Sequence, residues 1–101
     1  MPNKKNLPQQ PCADKLKVLG DTTRLSVMSL LMAKPLTVTE LNAVLEMDQS
    51  LLSHHLKILR DAGLVSSVRE GKGMLYSLAE DVDLSRSGNM INLGCCKLKF
   101  E

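Results

Sequence analysis

The segment at residues 37–64 places the strongest constraint on the fold, because it carries start and stop signals for two consecutive helices. Thr37 followed by Glu40 has the spacing of a capping box, which predicts a helix that starts at Thr37. Asp48 is a favourable N-cap for a second helix. Gly63 ends that helix, since glycine readily adopts the left-handed conformation at a helix C-terminus. The pattern predicts two helices joined by a tight turn.

The second of these helices has two chemically different faces. At about 100° per residue, one face carries apolar residues and a histidine, which are Leu52, His55, Leu56 and Leu59. The opposite face carries hydrogen-bonding side chains and one cation, which are Gln49, Ser50, Ser53, His54 and Lys57. The first face predicts a core stripe with His55 as a hydrogen-bonded core histidine. The second suits a helix that lies in the DNA major groove, with His54 as a donor to DNA, although a solvated helix face has the same composition.

Two further helices are expected before this segment. A short one covers residues 13–19, and a longer one has Asp21 as its N-cap and runs to about Ala33, where Pro35 ends it. The apolar stripe predicted for the longer helix consists of Leu25, Met28, Leu31 and Met32. Residues 1–12 hold three of the four prolines and predict a flexible arm.

A hairpin is expected after Gly63. Residues 65–69 and 74–78 form two short apolar or β-branched runs separated by a glycine-rich tip. Arg69 and Lys72 lie at or beside that tip, where they can reach a phosphate backbone. Taken alone, these two residues are equally consistent with a solvated basic turn that contacts no nucleic acid. The order helix, helix, helix-turn-helix, hairpin predicts a mainly α fold with a β-hairpin wing, the winged helix-turn-helix.

The winged domain is expected to span residues 13–78, followed by a C-terminal tail at residues 79–101. Within the tail, residues 80–84 favour the start of a helix, and the alternation at 96–101 favours an extended segment.

Composition excludes several classes of protein. The net charge is only +2, so total charge by itself does not predict nucleic-acid binding. Two aromatic residues are too few for a protein that binds single-stranded nucleic acid by stacking its bases. The chain shows no carboxylate pair, phosphate-cradling loop or Cys–His pairing, so no enzymatic role is expected.

Without an apolar run of membrane-spanning length or a signal peptide, we expect a cytoplasmic protein with no membrane partner. Three cysteines, an odd number, then predict reduced thiols rather than a disulfide scaffold.

Three stretches of the chain resemble the ArsR/SmtB family of metal- and metalloid-responsive repressors. They are LGDTTRL at residues 19–25, SLLSHHLKILRDAGLV at 50–65, and REGKG leading to YSL at 69–78. The resemblance implies a homodimeric winged-helix repressor that leaves double-stranded operator DNA when an inducer binds. It implies no cofactor for folding. The residues that it implies read bases are Gln49, Ser50, Ser53 and His54, while the wing contacts the backbone.

Two sensing sites of the family are absent from this sequence. Many arsenic and cadmium sensors carry Cys-x-Cys at the start of the first motif helix, where this chain has Thr37 and Thr39. Zinc sensors place Asp and His pairs on a C-terminal helix, and the tail of this chain has no His.

The adjacent pair Cys95–Cys96 is the remaining candidate for a sensing site. Soft thiolates select soft, thiophilic ions, and trivalent arsenic is bound by three sulfurs. The tail resembles atypical arsenic-responsive members with a vicinal pair beyond the wing. This resemblance implies that residues 79–101 serve dimerisation and sensing, with arsenite or antimonite as inducer. Cys12 is the other cysteine of the chain and the candidate third ligand, from the same or the partner subunit.

Three alternatives remain open at this stage. Cys95 and Cys96 can be small apolar residues of a dimer interface. The thiols can respond instead to oxidants or persulfide in a repressor of the same fold. The winged helix can also serve as a protein-docking module that does not bind DNA.

Overall fold

The structure, a computed structural model, describes residues 9–101. Its first part contains four helices and one two-residue strand: α1 (Gln9–Leu19), α2 (Thr22–Ala33), β1 (Leu36–Thr37), α3 (Val38–Leu45) and α4 (Gln49–Asp61). The second part contains four strands and a short 3-10 helix: β2 (Val65–Glu70), β3 (Gly73–Leu78), the 3-10 helix (Ser85–Ser87), β4 (Met90–Asn92) and β5 (Lys97–Lys99). This is the predicted winged helix-turn-helix, in which α4 is the recognition helix and β2–β3 is the wing.

The three predicted N-caps are confirmed. Asp21 accepts the Arg24 N–H at 3.0 Å, and Asp48 accepts the Leu51 N–H at 3.1 Å. Thr37 forms both halves of a capping box, because its hydroxyl accepts the Glu40 N–H while the Glu40 carboxylate accepts the Thr37 N–H. These bonds satisfy donors that a helix leaves free at its first turn.

Helix α1 is longer than the sequence predicted. It begins at Gln9 rather than at residue 13, so residues 9–12 are helical and not part of a flexible arm. Pro11 lies in the first turn, where its missing N–H removes no helical hydrogen bond, and therefore does not stop the helix. Residues 1–8 of the predicted arm lie outside the described part of the chain.

The turn between α3 and α4 depends on a side chain that the sequence analysis did not single out. The Asn42 side chain donates to the Met47 carbonyl and accepts the Met47 N–H, both at 2.9 Å. Glu46 adopts the left-handed conformation, with φ 50°, between the two helices. Asn42 thus holds the angle between the helices of the motif.

The recognition helix ends as predicted. Gly63 has φ +74°, its N–H donates to the Arg60 carbonyl at 2.9 Å, and the Leu64 N–H donates to the Leu59 carbonyl at 3.0 Å. These two bonds form a Schellman motif, which turns the chain from α4 into the wing.

One apolar core joins the helices to the wing and the tail. Its fully or nearly fully buried side chains include Val27, Met28 and Leu31 of α2, Leu41 of α3, Leu52, Leu56 and Leu59 of α4, and Ile91 of β4. The predicted stripe of α2 needs one correction: Leu25 is 39% exposed, and Val27 takes its place in the core. Leu25 instead lines a surface cavity together with Phe100 of the tail.

The wing is an antiparallel hairpin whose inner strand β3 also pairs with β1. Only Gly71 and Lys72 lie between the paired residues Glu70 and Gly73, so each strand is one residue longer than predicted. Gly71 has φ +60°, which a glycine adopts without strain. Strand β1 was not predicted, because two residues show no periodicity.

The tail forms a second hairpin. The prediction of a helix start at residues 80–84 is wrong, since Asp83 instead makes an isolated β-bridge with Ile91. Strands β4 and β5 pair antiparallel, in agreement with the extended segment expected near the end of the chain.

We predict that Gly63→Ala lowers the free energy of unfolding by about 1 kcal/mol, because alanine is strained at a positive φ. At both Gly63 and Gly73 an added Cβ would meet no atom within 4 Å, so neither alanine would clash. The two positions differ in conformation, because Gly63 has a positive φ and Gly73 does not. Gly73→Ala is therefore the matched control and should leave stability nearly unchanged. Urea denaturation of both variants measures the difference; equal losses would contradict the conformational explanation.

Candidate nucleic-acid interface and cysteine cluster

The recognition helix separates its two faces as predicted. Leu52, Leu56 and Leu59 are 0% exposed. The five polar residues predicted to face DNA are all exposed: Gln49, Ser50, Ser53, His54 and Lys57. A continuous hydrogen-bonding surface therefore runs along the outer side of α4.

The cation on this surface is paired along the helix. Lys57 Nζ donates to Asp61 Oδ2 at 2.9 Å, and both side chains are largely exposed. This hydrogen bond and the Lys57 charge hold the pKa of the Asp61 carboxyl below its usual value. The ammonium stays at the surface, where it can exchange this partner for another anion.

The wing contributes two exposed cations, Arg69 and Lys72. Lys72 lines a cleft of about 430 Å³ with Gln49, the first residue of α4, and with Thr39 in the first turn of α3. The cleft brings the tip of the wing and the start of the recognition helix to one side of the molecule. Sequence reasoning missed Thr39 as part of this surface, because its contact with the wing depends on tertiary packing.

His55 lies on the inner side of α4 but is not hydrogen-bonded as predicted. Its side chain is 13% exposed, and its Nδ1 lies 4.0 Å from Asp21 Oδ1, which is longer than a hydrogen bond. Nδ1 has no hydrogen-bond partner among the described residues. Its nearest charged neighbour is thus the N-cap of α2.

Cys12, Cys95 and Cys96 form the cysteine cluster, which lies within a single chain. Their three sulfur atoms all lie within 4.8 Å of one another. Cys12 and Cys95 are joined as a disulfide with Cα atoms 5.9 Å apart, and Cys96 Sγ lies 3.5 Å from Cys12 Sγ and 4.0 Å from Cys95 Sγ. The third sulfur beside the vicinal pair therefore comes from the same chain.

Two elements position the cysteine cluster. Cys12 lies near the start of α1, and the vicinal pair lies in the turn between β4 and β5. That turn is closed by the Gly94 N–H, which donates to Asn92 Oδ1, and by the Leu93 N–H, which donates to the Cys96 carbonyl, both at 2.9 Å. Lys15 of α1 donates to the Leu93 carbonyl at 3.2 Å and ties the turn to the helix.

The disulfide corrects the expectation that all three thiols are reduced. That expectation rested on a cysteine count, whereas the pairing depends on the additional helical turn that carries Cys12 to the tail. Cys96 is the free thiol beside the disulfide. The cluster therefore has two forms, one with a disulfide and one free thiol and one with three thiols.

The three cysteines offer the donor set that a single thiophilic ion prefers once the disulfide is reduced, because soft thiolates select soft ions. With metal–sulfur bonds of about 2.3 Å, two sulfurs on one ion lie no more than about 4.6 Å apart. The separations of Cys96 Sγ from the other two sulfurs, 3.5 and 4.0 Å, lie within that limit.

In the described part of the chain, no helix is both long enough and apolar enough to span a membrane.

Comparison with known proteins agrees with the fold. The family described as "Bacterial regulatory protein, arsR family" matches residues 21–67. The arsenical resistance operon repressor of Staphylococcus aureus is 34% identical over 79 residues, which cover 76% of this chain and 76% of that protein. The HTH-type transcriptional regulator NmtR of Mycobacterium tuberculosis is 41% identical over 66 residues, which cover 65% of this chain and 55% of NmtR.

A solved structure extends the comparison beyond the wing. The homodimeric winged helix-turn-helix DNA-binding domain Mb0332 of Mycobacterium bovis superimposes with a TM-score of 0.71 at 26% identity, covering 86% of this chain and 80% of that one. The chain spans just over half the length of several curated relatives, 54% to 59% for three of them. These relatives are regulators rather than enzymes, and the chain belongs to the arsR family of bacterial regulatory proteins.

Proposed function

We propose that this chain is a DNA-binding transcriptional repressor that leaves its operator when trivalent arsenic, as arsenite, or antimony binds the cysteine cluster. The observation that supports it most is that Cys12, Cys95 and Cys96 are grouped within a single chain that also exposes the polar face of α4. The name of the S. aureus relative, an arsenical resistance operon repressor, supports the same signal.

The DNA-binding step uses the outer face of α4. A homodimer presents two such helices to a two-fold symmetric operator, as the homodimeric structural relative suggests. Gln49, Ser50, Ser53 and His54 hydrogen-bond to base edges in the major groove, and Lys57 contacts phosphate. Arg69 and Lys72 of the wing contact the neighbouring backbone. With a net charge of only +2, specificity depends on this placement more than on total charge.

The sensing step uses the reduced cluster. Arsenite loses its oxygens as water when three thiols supply protons, and three As–S bonds form. The ion then links α1 to the tail through Cys12 on one side and the vicinal pair on the other. Because the three sulfurs belong to one chain, each subunit of a dimer holds a complete site.

The DNA-binding step predicts a loss of base discrimination for His54→Ala. We expect this variant to lose about 1–3 kcal/mol of preference for the operator over an unrelated duplex, as for other specific base contacts. Fluorescence anisotropy with both duplexes at one salt concentration measures the change. An unaltered ratio of the two affinities would remove His54 from the base-reading set.

The wing predicts a different effect for Lys72→Gln. Loss of one phosphate contact should weaken binding to all duplexes alike and lower the salt-dependence slope by about one. Lys99→Gln removes the same charge from an exposed position on β5 and is the matched control, with an unchanged slope. A protein that binds no duplex with a salt-dependent affinity would instead be a docking module.

The sensing step predicts that one arsenic binds per reduced chain and displaces three protons, as measured by intact mass spectrometry. Operator affinity should then fall about 5- to 150-fold, the usual range of such coupling. The double variant Cys95→Ser, Cys96→Ser should bind operator as before but remain bound in arsenite. Normal release of that variant by arsenite would show that the sensing site lies elsewhere.

The disulfide between Cys12 and Cys95 favours a second candidate, a repressor that responds to oxidants. In that case two thiols give two electrons and two protons to hydrogen peroxide, which leaves as two waters, and the disulfide forms. The two candidates differ in the signal: peroxide, and not arsenite, would then release the operator, and dithiothreitol would restore binding.

A further inference from the structure

Asp21 lies at the junction between the helix that carries Cys12 and the recognition helix. Gly20 and Asp21 alone separate α1 from α2. The Asp21 carboxylate caps α2 by accepting the Arg24 N–H at 3.0 Å, and the same carboxylate lies 4.0 Å from His55 Nδ1 on α4. One side chain therefore meets the end of α1, the start of α2 and the inner face of α4.

The polar groups around Asp21 are incompletely paired. Arg24 Nε and His55 Nδ1 are buried and have no hydrogen-bond partner among the described residues. The Arg24 guanidinium lies 3.9 Å from the carboxylate. The hydrogen bond from the Arg24 N–H, together with the nearby Arg24 guanidinium, keeps the pKa of Asp21 below its usual value, so the carboxylate is ionised at neutral pH. A shift of about 1 Å would bring His55 Nδ1 into hydrogen-bond range of the Asp21 carboxylate.

Both segments that leave the cysteine cluster reach this junction. The part of α1 after Cys12 leads to Leu19, and the chain after Cys96 leads through β5 to Phe100. Leu19, Asp21 and Phe100 line one cavity of about 400 Å³, together with Leu25. The cavity leaves room for the ends of α1 and of the tail to move relative to α2.

We infer that the contact between Asp21 and His55 is the one through which a bond formed in the cysteine cluster moves the recognition helix. A link between the sulfurs fixes the start of α1 against the turn before β5, and the displacement appears at the far ends of both segments, beside Asp21. Asp21 and His55 are positioning residues, since neither belongs to the proposed DNA-contacting set. The inference rests on the proposed sensing role of the cysteine cluster.

The experiment compares the fully reduced protein with the Cys12–Cys95 disulfide form, without DNA or arsenic. Hydrogen exchange of the amides at residues 49–61, expressed relative to exchange of the wing amides at residues 65–78 in the same protein, measures how firmly the recognition helix is held, because the wing amides report the change in global stability. We expect the two forms of the wild-type protein to differ about fivefold or more in these rates. In Asp21→Asn the difference should fall below about twofold, because asparagine still caps α2 but removes the charge that faces His55.

Asp83→Asn is the matched control. Asp83 Oδ1 accepts the Ser85 N–H at 2.9 Å in the tail, so this variant also keeps a capping acceptor and loses one charge. It should retain the full wild-type difference. His55→Gln should reproduce the loss seen in Asp21→Asn, and the double variant should lose no more than either single one, because the two residues act through one contact.

Two results would overturn the inference: a wild-type difference that persists in Asp21→Asn, or exchange rates in the wild-type protein that do not depend on the disulfide. Arsenite-induced release of the operator is measured separately on the wild-type protein. If exchange in α4 depends on the disulfide through Asp21 but arsenite does not release the operator, the proposed inducer is wrong and the role of the Asp21–His55 contact stands. If arsenite releases the operator but exchange in α4 does not depend on the disulfide through Asp21, the role of the Asp21–His55 contact is wrong and the proposed function stands.

Discussion

The packing of three leucines of α4 into the core is the interaction on which the rest of the structure depends. Leu52, Leu56 and Leu59 are completely buried, and burial of such a side chain is worth about 1.5–3 kcal/mol. Because side-chain directions are fixed by the helical repeat, burying this stripe orients the opposite face outward. The presentation of Ser53 and His54 is therefore a consequence of core packing.

The same constraint explains why the elements around α4 are arranged as they are. Asn42 sets the turn that leads into the helix, and the Schellman motif at Gly63 sets the turn that leaves it. The wing starts two residues after this glycine and pairs with β1, which precedes α3. One three-stranded sheet thus holds the helix-turn-helix at both sides, through β1 before α3 and through β2 after α4.

The features that the sequence predicted correctly depend on residues close to one another in the chain. The caps at Asp21, Thr37 and Asp48 each need an acceptor and an N–H three residues later, and the wing needs a tight turn between two short runs. Such signals are contained within a few residues and can be read without knowledge of the fold. The exposure of the polar face of α4 follows equally from periodicity.

The features that were missed depend on contacts between distant residues. Cys12 meets Cys95 across 83 positions, and no local pattern encodes that meeting. Val27 is 0% exposed whereas Leu25 is 39% exposed, a difference set by which elements pack against α2. The tail itself has short strands, whose pairing depends on a turn built from Asn92 and Gly94.

The bond between Cys12 and Cys95 also closes most of the polypeptide into a ring. A link across 83 residues restricts the unfolded chain and, in the chain-entropy description, favours the folded state by about 4.5 kcal/mol. Reduction opens the ring, so the thiol form unfolds more often and exposes its backbone to proteases. The lifetime of the protein in a cell is thereby tied to the oxidation state of its surroundings.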